Sequence, residues 1–258
     1  MTETAYNNVE AEKIDSLPWY NDSRITKLIV GRLRTKKGGC LLDLCCGTSK
    51  ILTHLVGYFS EYVGVDRSPV MLSKANYNIK SCQLASKCAV ELIKDDVYNF
   101  LRYNPRVGTA THVLIKNSLQ FLDIRDLFRL LKSKLCGGVR VLIVQTVNIN
   151  DSDSSDVFKS LLTDLYFTKR IKKHLSAEEI VNESKTLAKS KIRMQSITQE
   201  IDVTLWLEFH GINKPKINEI VDRLSCLEDK EMVRYGITKR SNLLYLLRKQ
   251  AVIDFDIR

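Results

Sequence analysis

The sequence predicts an α/β fold, a doubly wound and mostly parallel sheet with a helical insertion after its fifth strand. Three observations carry that expectation. From about residue 40, short apolar runs alternate with amphipathic stretches, as do strands buried on both faces and the helices that cross between them. Three successive apolar runs end in acid, at Asp43, Asp66 and the pair Asp95 and Asp96. After Asp43 a turn of small residues leads straight into an amphipathic stretch, which exposes backbone N–H groups at a helix start.

In chain order, strands are predicted at residues 40 to 45, 62 to 66, 90 to 94, 112 to 116 and 139 to 146, with helices at 50 to 58, 69 to 84, 98 to 103 and 124 to 135. Gly137 and Gly138 end the last of these helices where a left-handed cap is wanted, and VRVLIVQTV follows at once. After Asn148 the small polar run NINDSDSSD gives way to charged helical patterns as far as about residue 191. The run IRMQSITQEIDVTLWLEF alternates around Ile201, Val203, Leu205 and Leu207 and reads as a strand. A helix at 216 to 227 precedes RYGI and NLLYLLRK, the last two strands. The chain thus divides into a leading segment (1–37), a core (38–148), a helical lid or substrate insertion (149–230) and the last strands with a tail (231–258).

With 258 residues, 44% hydrophobic and 27% charged, the chain is long enough for one core with an appended subdomain, and collagen-like or linker classes are excluded. No stretch approaches the roughly 20 apolar residues of a membrane span, and Glu3, Glu10 and Glu12 do not suit a signal peptide, so a cytoplasmic protein is expected. Seven cysteines, an odd number without a C-x-x-C pair, read as reduced thiols. The four histidines are scattered away from them, so no metal is expected. A net charge of +10 favours anionic partners, phosphorylated substrates or nucleic acid. The densest basic runs, Arg32 to Lys37 and Lys169 to Lys173, lack interleaved aromatics for stacking on bases and read as solvated helix ends.

The segment LLDLCCGTSKIL carries the most chemistry. A carboxylate such as Asp66, at the end of the next strand, accepts hydrogen bonds from both hydroxyls of a ribose, the logic of nucleoside-binding doubly wound folds. Asp96 with Val97, after the third strand, offers a side chain and a backbone group to an adenine edge. A dinucleotide site would need G-x-G-x-x-G, which Cys45, Gly47 and Lys50 do not supply.

Over roughly residues 40 to 146 this arrangement resembles the class I S-adenosylmethionine-dependent methyltransferases. Their first motif, acidic-x-Gly-x-Gly-x-Gly, reads here Asp43-Leu44-Cys45-Cys46-Gly47-Thr48-Ser49, with Cys45 and Ser49 in place of glycines. The D-x-C-C-G-T version is similar to that of ubiquinone and menaquinone biosynthesis methyltransferases. The resemblance implies S-adenosyl-L-methionine as cofactor and S-adenosyl-L-homocysteine as product. Asp43, Cys45, Gly47 and Ser49 would cradle the methionine part, Asp66 the ribose, and Asp96 and Val97 the adenine, with Arg67 and Met71 beside the adenosine. Lys116, Asn117 and Ser118 would lie by the sulfonium, and the leading segment SLPWYND would fold over the cofactor with Trp19 or Tyr20. Thr111 departs from the family's Asp, Gln120-Phe121 from its paired His, and the Asn-Pro-Pro-Tyr of base-amine methylation is absent.

The function expected is methyl transfer to an oxygen, nitrogen or carbon atom of a small-molecule acceptor, with an anionic one suited to the net charge. His210 is the candidate base, with His112 and His174 behind it, and a structural histidine is the alternative at each. Trp19, Gln120, Tyr166, Trp206 and Phe209 are candidate acceptor-site residues, and core packing is the alternative for the aromatics. RNA or protein methylation and a catalytically silent binding protein are the rival readings. The oligomeric state and the acceptor's identity are left open.

Overall fold

Strands β1 (Cys40–Leu44), β2 (Glu61–Asp66), β3 (Ala89–Lys94), β4 (Ala110–Lys116) and β5 (Arg140–Val147) run parallel in the order β3-β2-β1-β4-β5. The computed structural model describes residues 8–33, 38–147, 175–209 and 211–257. All five strands lie within two residues of their predicted ends. Alternate side chains enter opposite layers, because strand residues point alternately to the two faces. Leu42, Leu44, Val113, Ile115, Val141 and Ile143 join one core, and Leu41, Leu114, Leu142 and Val144 the other.

Helices α1 (Asn8–Ile14) and α2 (Ser23–Leu33) lead the chain, and α3 (Leu52–Leu55), α4 (Pro69–Ser81), α5 (Val97–Tyr103) and α6 (Ile124–Lys134) alternate with the strands. Side-chain caps fix three of the starts: Ser68 Oγ accepts from Met71 N (3.3 Å), Asp96 Oδ1 from Tyr98 N (2.9 Å) and Asp123 Oδ1 from Arg125 N (3.0 Å). The helix predicted at 50 to 58 shrinks to the single turn α3, since Val56 turns extended and Gly57 is left-handed (φ 92°).

The second half departs further from expectation. Residues 148–174, the whole polar entry and the first part of the predicted lid, lie outside the described residues. Beyond them α7 (Ala177–Ser184), started by a Ser176/Glu179 capping box, buries Ala177 and Ile180 in the same core as Leu127 and Leu131 of α6. β6 (Arg193–Asp202) pairs antiparallel with β8 (Leu243–Asp256), and β8 pairs antiparallel with β5. The described part of 149–230 therefore includes an edge strand of the sheet and is not a purely helical lid. The predicted strand also stops at Asp202, whose Oδ1 accepts from Leu205 N (2.9 Å), and Val203–Phe209 is helix α8. Val203 and Leu207 are four apart, a spacing that one helix face buries as readily as one sheet face does.

Helices α9 (Lys214–Ser225) and α10 (Asp229–Tyr235) follow, then β7 (Ile237–Arg240), which pairs with the first residues of β8. α10 was not predicted. Val203, Leu207, Ile217, Ile220, Leu224, Ile237 and Leu244 form the small core of this appended subdomain. No described helix is long and apolar enough to cross a membrane.

Two features fasten these parts. Asp254, buried in β8, accepts from Arg32 Nη1 of α2 (2.9 Å) and from Arg193 Nε at the start of β6 (2.9 Å). In β2, a Cβ on Gly64 would stand 2.9 Å from Leu92 Cδ2, 2.9 Å from Tyr62 Cε1 and 3.0 Å from Cys46 Sγ. Gly64→Ala is expected to cost about 1–3 kcal/mol, the usual range for overpacking, in a denaturant titration. Unchanged stability would mean that the strand and the turn at Cys46 yield freely.

Candidate functional site

The turn after β1 has a distinctive backbone. Cys45 (φ 58°), Gly47 (φ 54°) and Ser49 (φ 51°) are all left-handed, so the three positions where the motif calls for glycine adopt the conformation that glycine favours. For Cys45 and Ser49 that conformation costs about 1–2 kcal/mol each. Bonds to β2 and within the turn hold it: Cys46 N donates to Val65 O (3.0 Å), Gly47 N to Asp66 Oδ2 (2.9 Å) and Ser49 N to Cys46 O (3.0 Å).

Beneath the turn, Asp43 is 2% exposed and its Oδ2 accepts from Tyr62 Oη (2.7 Å). That hydroxyl is also bonded to Ser49 Oγ (2.9 Å), which donates to it because Tyr62 has one proton to give. Burial pushes the Asp43 carboxyl up to about 7, against the pull of the Tyr62 hydrogen bond and of the Lys116 charge. At the end of β2, Asp66 Oδ1 accepts from Ser68 N (2.8 Å) and Oδ2 from Gly47 N. Burial raises its pKa as well, and these backbone bonds oppose the rise. Each oxygen of an ionised carboxylate accepts two bonds, so Asp66 can hold the turn and a ligand together. Asp95 Oδ1 accepts from Asp96 N (2.8 Å), while Asp96 caps α5.

These ends open into one cleft, where Lys116 closes β4. Burial pushes its amine down to about 8 and Arg248 pushes the same way, against Asp43 and Asp15.

Residues 41–135 match the family model described as a methyltransferase domain. This part of the core is similar to the methyltransferase domains. Solved structures agree in fold. The YcgJ protein of Bacillus subtilis superposes with a TM-score of 0.72 at 16% identity, over 92% of this chain and 99% of that one. A geranyl diphosphate C-methyltransferase of Streptomyces coelicolor A3(2), solved with Mg2+, geranyl diphosphate and S-adenosyl-L-homocysteine, gives 0.57 at 15% identity, over 99% and 86%. A SAM-dependent methyltransferase of Archaeoglobus fulgidus gives 0.54 at 16%, over 92% of each chain. No curated protein sequence matches the chain.

In this core, Asp43, Cys45, Gly47, Asp66, Arg67, Met71, Asp96, Val97, Lys116, Asn117 and Tyr20 all line the cleft. Ser49 does not: its left-handed backbone turns the hydroxyl inward to Tyr62, and it is 1% exposed. The predicted acceptor residues fare differently. Trp19 and Phe209 meet edge to face with ring centres 6.3 Å apart, in a buried cluster with Leu17, Met71 and Ile201 that seats the leading segment on α4 and β6. Trp206 packs between that cluster and the core of the appended subdomain. None of the three lines the cleft, so apolar packing claims them. Gln120 also stands behind it, donating to Asn117 O (2.8 Å) and accepting from Gln145 Nε2 (2.7 Å). Tyr166, His174 and the predicted base His210 lie outside the described residues. His112 sits towards the amino end of β4 against Phe59, with ring centres 5.0 Å apart. Burial and Arg140 push it down to about 4.

Sequence reasoning missed Asp15, Thr48 and His54 as lining residues. Asp15 Oδ1 accepts from Thr48 Oγ1 (2.5 Å) and Oδ2 from Asn78 Nδ2 (2.7 Å), so the leading segment is tied to both the motif turn and α4. One acid in a polar leader gives no signal of that contact. Ser118, expected near the sulfonium, lines the cleft too, and among the described residues its buried Oγ has no hydrogen-bond partner beyond the Cys45 thiol.

Proposed function

We propose that this chain transfers a methyl group from S-adenosylmethionine to an oxygen, nitrogen or carbon atom of a small-molecule acceptor in the cytosol, where its cysteines stay reduced. One observation supports it above the others: the left-handed turn, the carboxylate of Asp66 and the capped start of α5 at Val97 converge on one cleft at the carboxyl ends of adjacent parallel strands. The residues present suit the cofactor. Asp66 keeps acceptor capacity for the ribose hydroxyls, and Ser118 Oγ is a buried polar atom ready for a ligand partner. When bound, the cofactor supplies an electrophilic methyl group on a sulfonium.

The chain's own part is placement. In-line displacement gains most from holding the nucleophile in a fixed direction, so rigid strand ends suit the task. Asp15 ties the leading segment to the motif turn and to α4 at the wall of this cleft. The geranyl diphosphate enzymes of this fold act on small molecules. His210 Nε2 or Nδ1 is the proposed proton acceptor where the nucleophile arrives protonated.

Calorimetry with S-adenosylhomocysteine tests the reading. Binding, with a rise in melting temperature, is the expected result. No heat at millimolar ligand would overturn it. A pH series adds a second check. A native carboxyl raised to about 7 binds a proton that the unfolded chain has released, so its share of stability declines as pH rises from about 4 to 7. A cationic ligand beside Asp43 favours the ionised form, so affinity for S-adenosylmethionine is expected to rise over that window. Asp43→Asn should flatten the rise. An equally steep rise in that variant would assign the titration to another group.

A further inference from the structure

The ends of β1 and β2 bring carboxylates to the cleft, Asp43 and Asp66, whereas the end of β4 brings hydrogen-bond donors. Lys116, its last residue, and Asn117 and Ser118 after it all line the cleft. Consecutive Cα atoms are about 3.8 Å apart, so one small molecule spans the three. Lys116 is half-buried, with Nζ 5.3 Å from the centre of the Tyr20 ring. Among the described residues this amine makes no hydrogen bond or ion pair. Arg248, Asp43 and Asp15 act on it through their charge alone, and the two carboxylates are bonded to Tyr62, Thr48 and Asn78. Ser118 is 5% exposed, and among the described residues its Oγ meets only the Cys45 thiol. Burial pushes that thiol up to about 12, so it stays protonated and can give its hydrogen to Ser118 Oγ, which leaves the hydroxyl's own hydrogen for a ligand.

The turn that carries these donors is braced from behind. Asn117 is left-handed (φ 51°), a conformation that a residue other than glycine keeps where its surroundings impose it. Its N donates to Val144 O (2.7 Å) and its O accepts from Gln120 Nε2 (2.8 Å). Gln145 of β5, 1% exposed, completes the brace: Nε2 donates to Gln120 Oε1 (2.7 Å), and Oε1 accepts from Leu119 N (3.1 Å). Two side-chain amides thus fix the backbone on both sides of Ser118. Donors held in place before the ligand arrives serve a negative charge without reorganising.

An ammonium and a hydroxyl with hydrogens to give need an oxygen that accepts from both, and an ionised oxygen accepts most strongly. The sulfonium of a bound cofactor is a second positive charge, which attracts the same anion. A neutral amine fares worse, because gaining a methyl group makes it a cation in the cleft that already holds the Lys116 ammonium. We infer that the end of β4 holds the acceptor's nucleophilic oxygen as an anion, with Lys116 Nζ and Ser118 Oγ as its donors. This rests on the methyltransferase reading above and narrows the acceptor to a carboxylate or an acidic hydroxyl, to the exclusion of amines. The oxygen's electron pair forms the bond to the methyl carbon, the pair of the breaking carbon–sulfur bond stays on sulfur, and the two charges cancel with no proton to remove.

The test uses the full chain, with and without saturating S-adenosylhomocysteine, and three probes of similar size: 4-nitrophenol, 4-nitrobenzoate and the amine 4-nitroaniline. Equilibrium dialysis gives the affinities, and the visible absorbance of 4-nitrophenolate shows whether that probe is bound ionised. In the S-adenosylhomocysteine complex at least one anion is expected to bind about tenfold or more tighter than 4-nitroaniline, and the tighter anion tells an acidic hydroxyl from a carboxylate. Lys116→Met keeps the length of the side chain, lowers that affinity about tenfold or more and leaves 4-nitroaniline unchanged, while Lys116→Arg recovers part of the loss. Ser118→Ala lowers it about threefold or more, and carries the test by itself should Lys116→Met not fold. A wild type that binds S-adenosylhomocysteine but neither anion would overturn the inference and leave the methyltransferase reading standing. Equal affinity for 4-nitroaniline, or anion binding unchanged in both variants, would overturn it too. So would a loss of S-adenosylhomocysteine affinity in Lys116→Met with 5′-methylthioadenosine unaffected, since Lys116 would then hold the cofactor's own carboxylate. A wild type that binds the anions but no S-adenosylhomocysteine would sink the methyltransferase reading and, with it, the anion's role as nucleophile.

Discussion

Asp66→Ala is expected to weaken S-adenosylhomocysteine binding by about two orders of magnitude or more, while Asp95→Ala costs less than about tenfold. The contrast follows from what each carboxylate holds. Asp66 accepts from Gly47 N in the motif turn and from Ser68 N at the start of α4, and it faces the cleft with its remaining lone pairs. Two bonds from ribose hydroxyls to a charged acceptor contribute roughly 1.5–3 kcal/mol each. Removing the carboxylate also strips the Gly47 and Ser68 amides of their partner, so the left-handed turn loses a tie to β2. Asp95 accepts only a local bond from Asp96 N among its described contacts. Melting curves on the calorimetry samples separate binding from folding, and Asp66→Asn, which keeps one acceptor oxygen, should fall between. Unaltered affinity in a folded Asp66→Ala would remove this residue from the cofactor site.

Asp254→Ala is expected to cost about 3 kcal/mol of stability, the lower end of the range for breaking a buried ion pair. Asp254 is 1% exposed, and its two oxygens take Arg32 from α2 and Arg193 from β6. The arginine side chains are 20% and 49% exposed, so solvent offsets part of the loss. Once the carboxylate is gone, two guanidinium groups lose the partner they share. The damage reaches the site because α2 carries Ile25, Thr26 and Ile29 to the wall of the cleft. A denaturant midpoint close to wild type would show that packing alone positions α2. Combining Asp254→Leu with Arg32→Met should recover part of the loss, since apolar replacement of a whole buried pair is often neutral.

Much of the core was legible because its central strands are buried on both faces, although β3 at the edge is not. Such strands must be apolar throughout, so LLDL, YVGV and VLIV announce themselves, and an acid at the end of each of the first three is visible as a break. The cleft residues of the motif turn, Asp66, Asp96 and Val97 follow from the same break, because parallel strands deliver their carboxyl ends to one edge. Past residue 190 the pattern loses that force. Val203 and Leu207 satisfy both a strand and a helix, and the helix was chosen by Ile217, Ile220 and Leu224 packing beside them. NLLYLLRK marks only the first part of β8, whose later residues are fixed as strand by pairing with β5 and β6 on its two sides.

What the sequence determined by itself is therefore the class of fold, the order of its parallel strands in the chain and the acid-lined side of the cleft, all properties of local burial and spacing. Tertiary structure alone decided the partners. It turned Ser49 inward, gave Trp19 to Phe209 instead of to an acceptor, tied Asp15 to Thr48, and brought Lys116 and Arg248 to one ring although they stand far apart in the chain. Hydrophobic periodicity records whether a side chain is covered. Which residue covers it depends on strand order and helix packing, and those are settled by contacts distant in sequence.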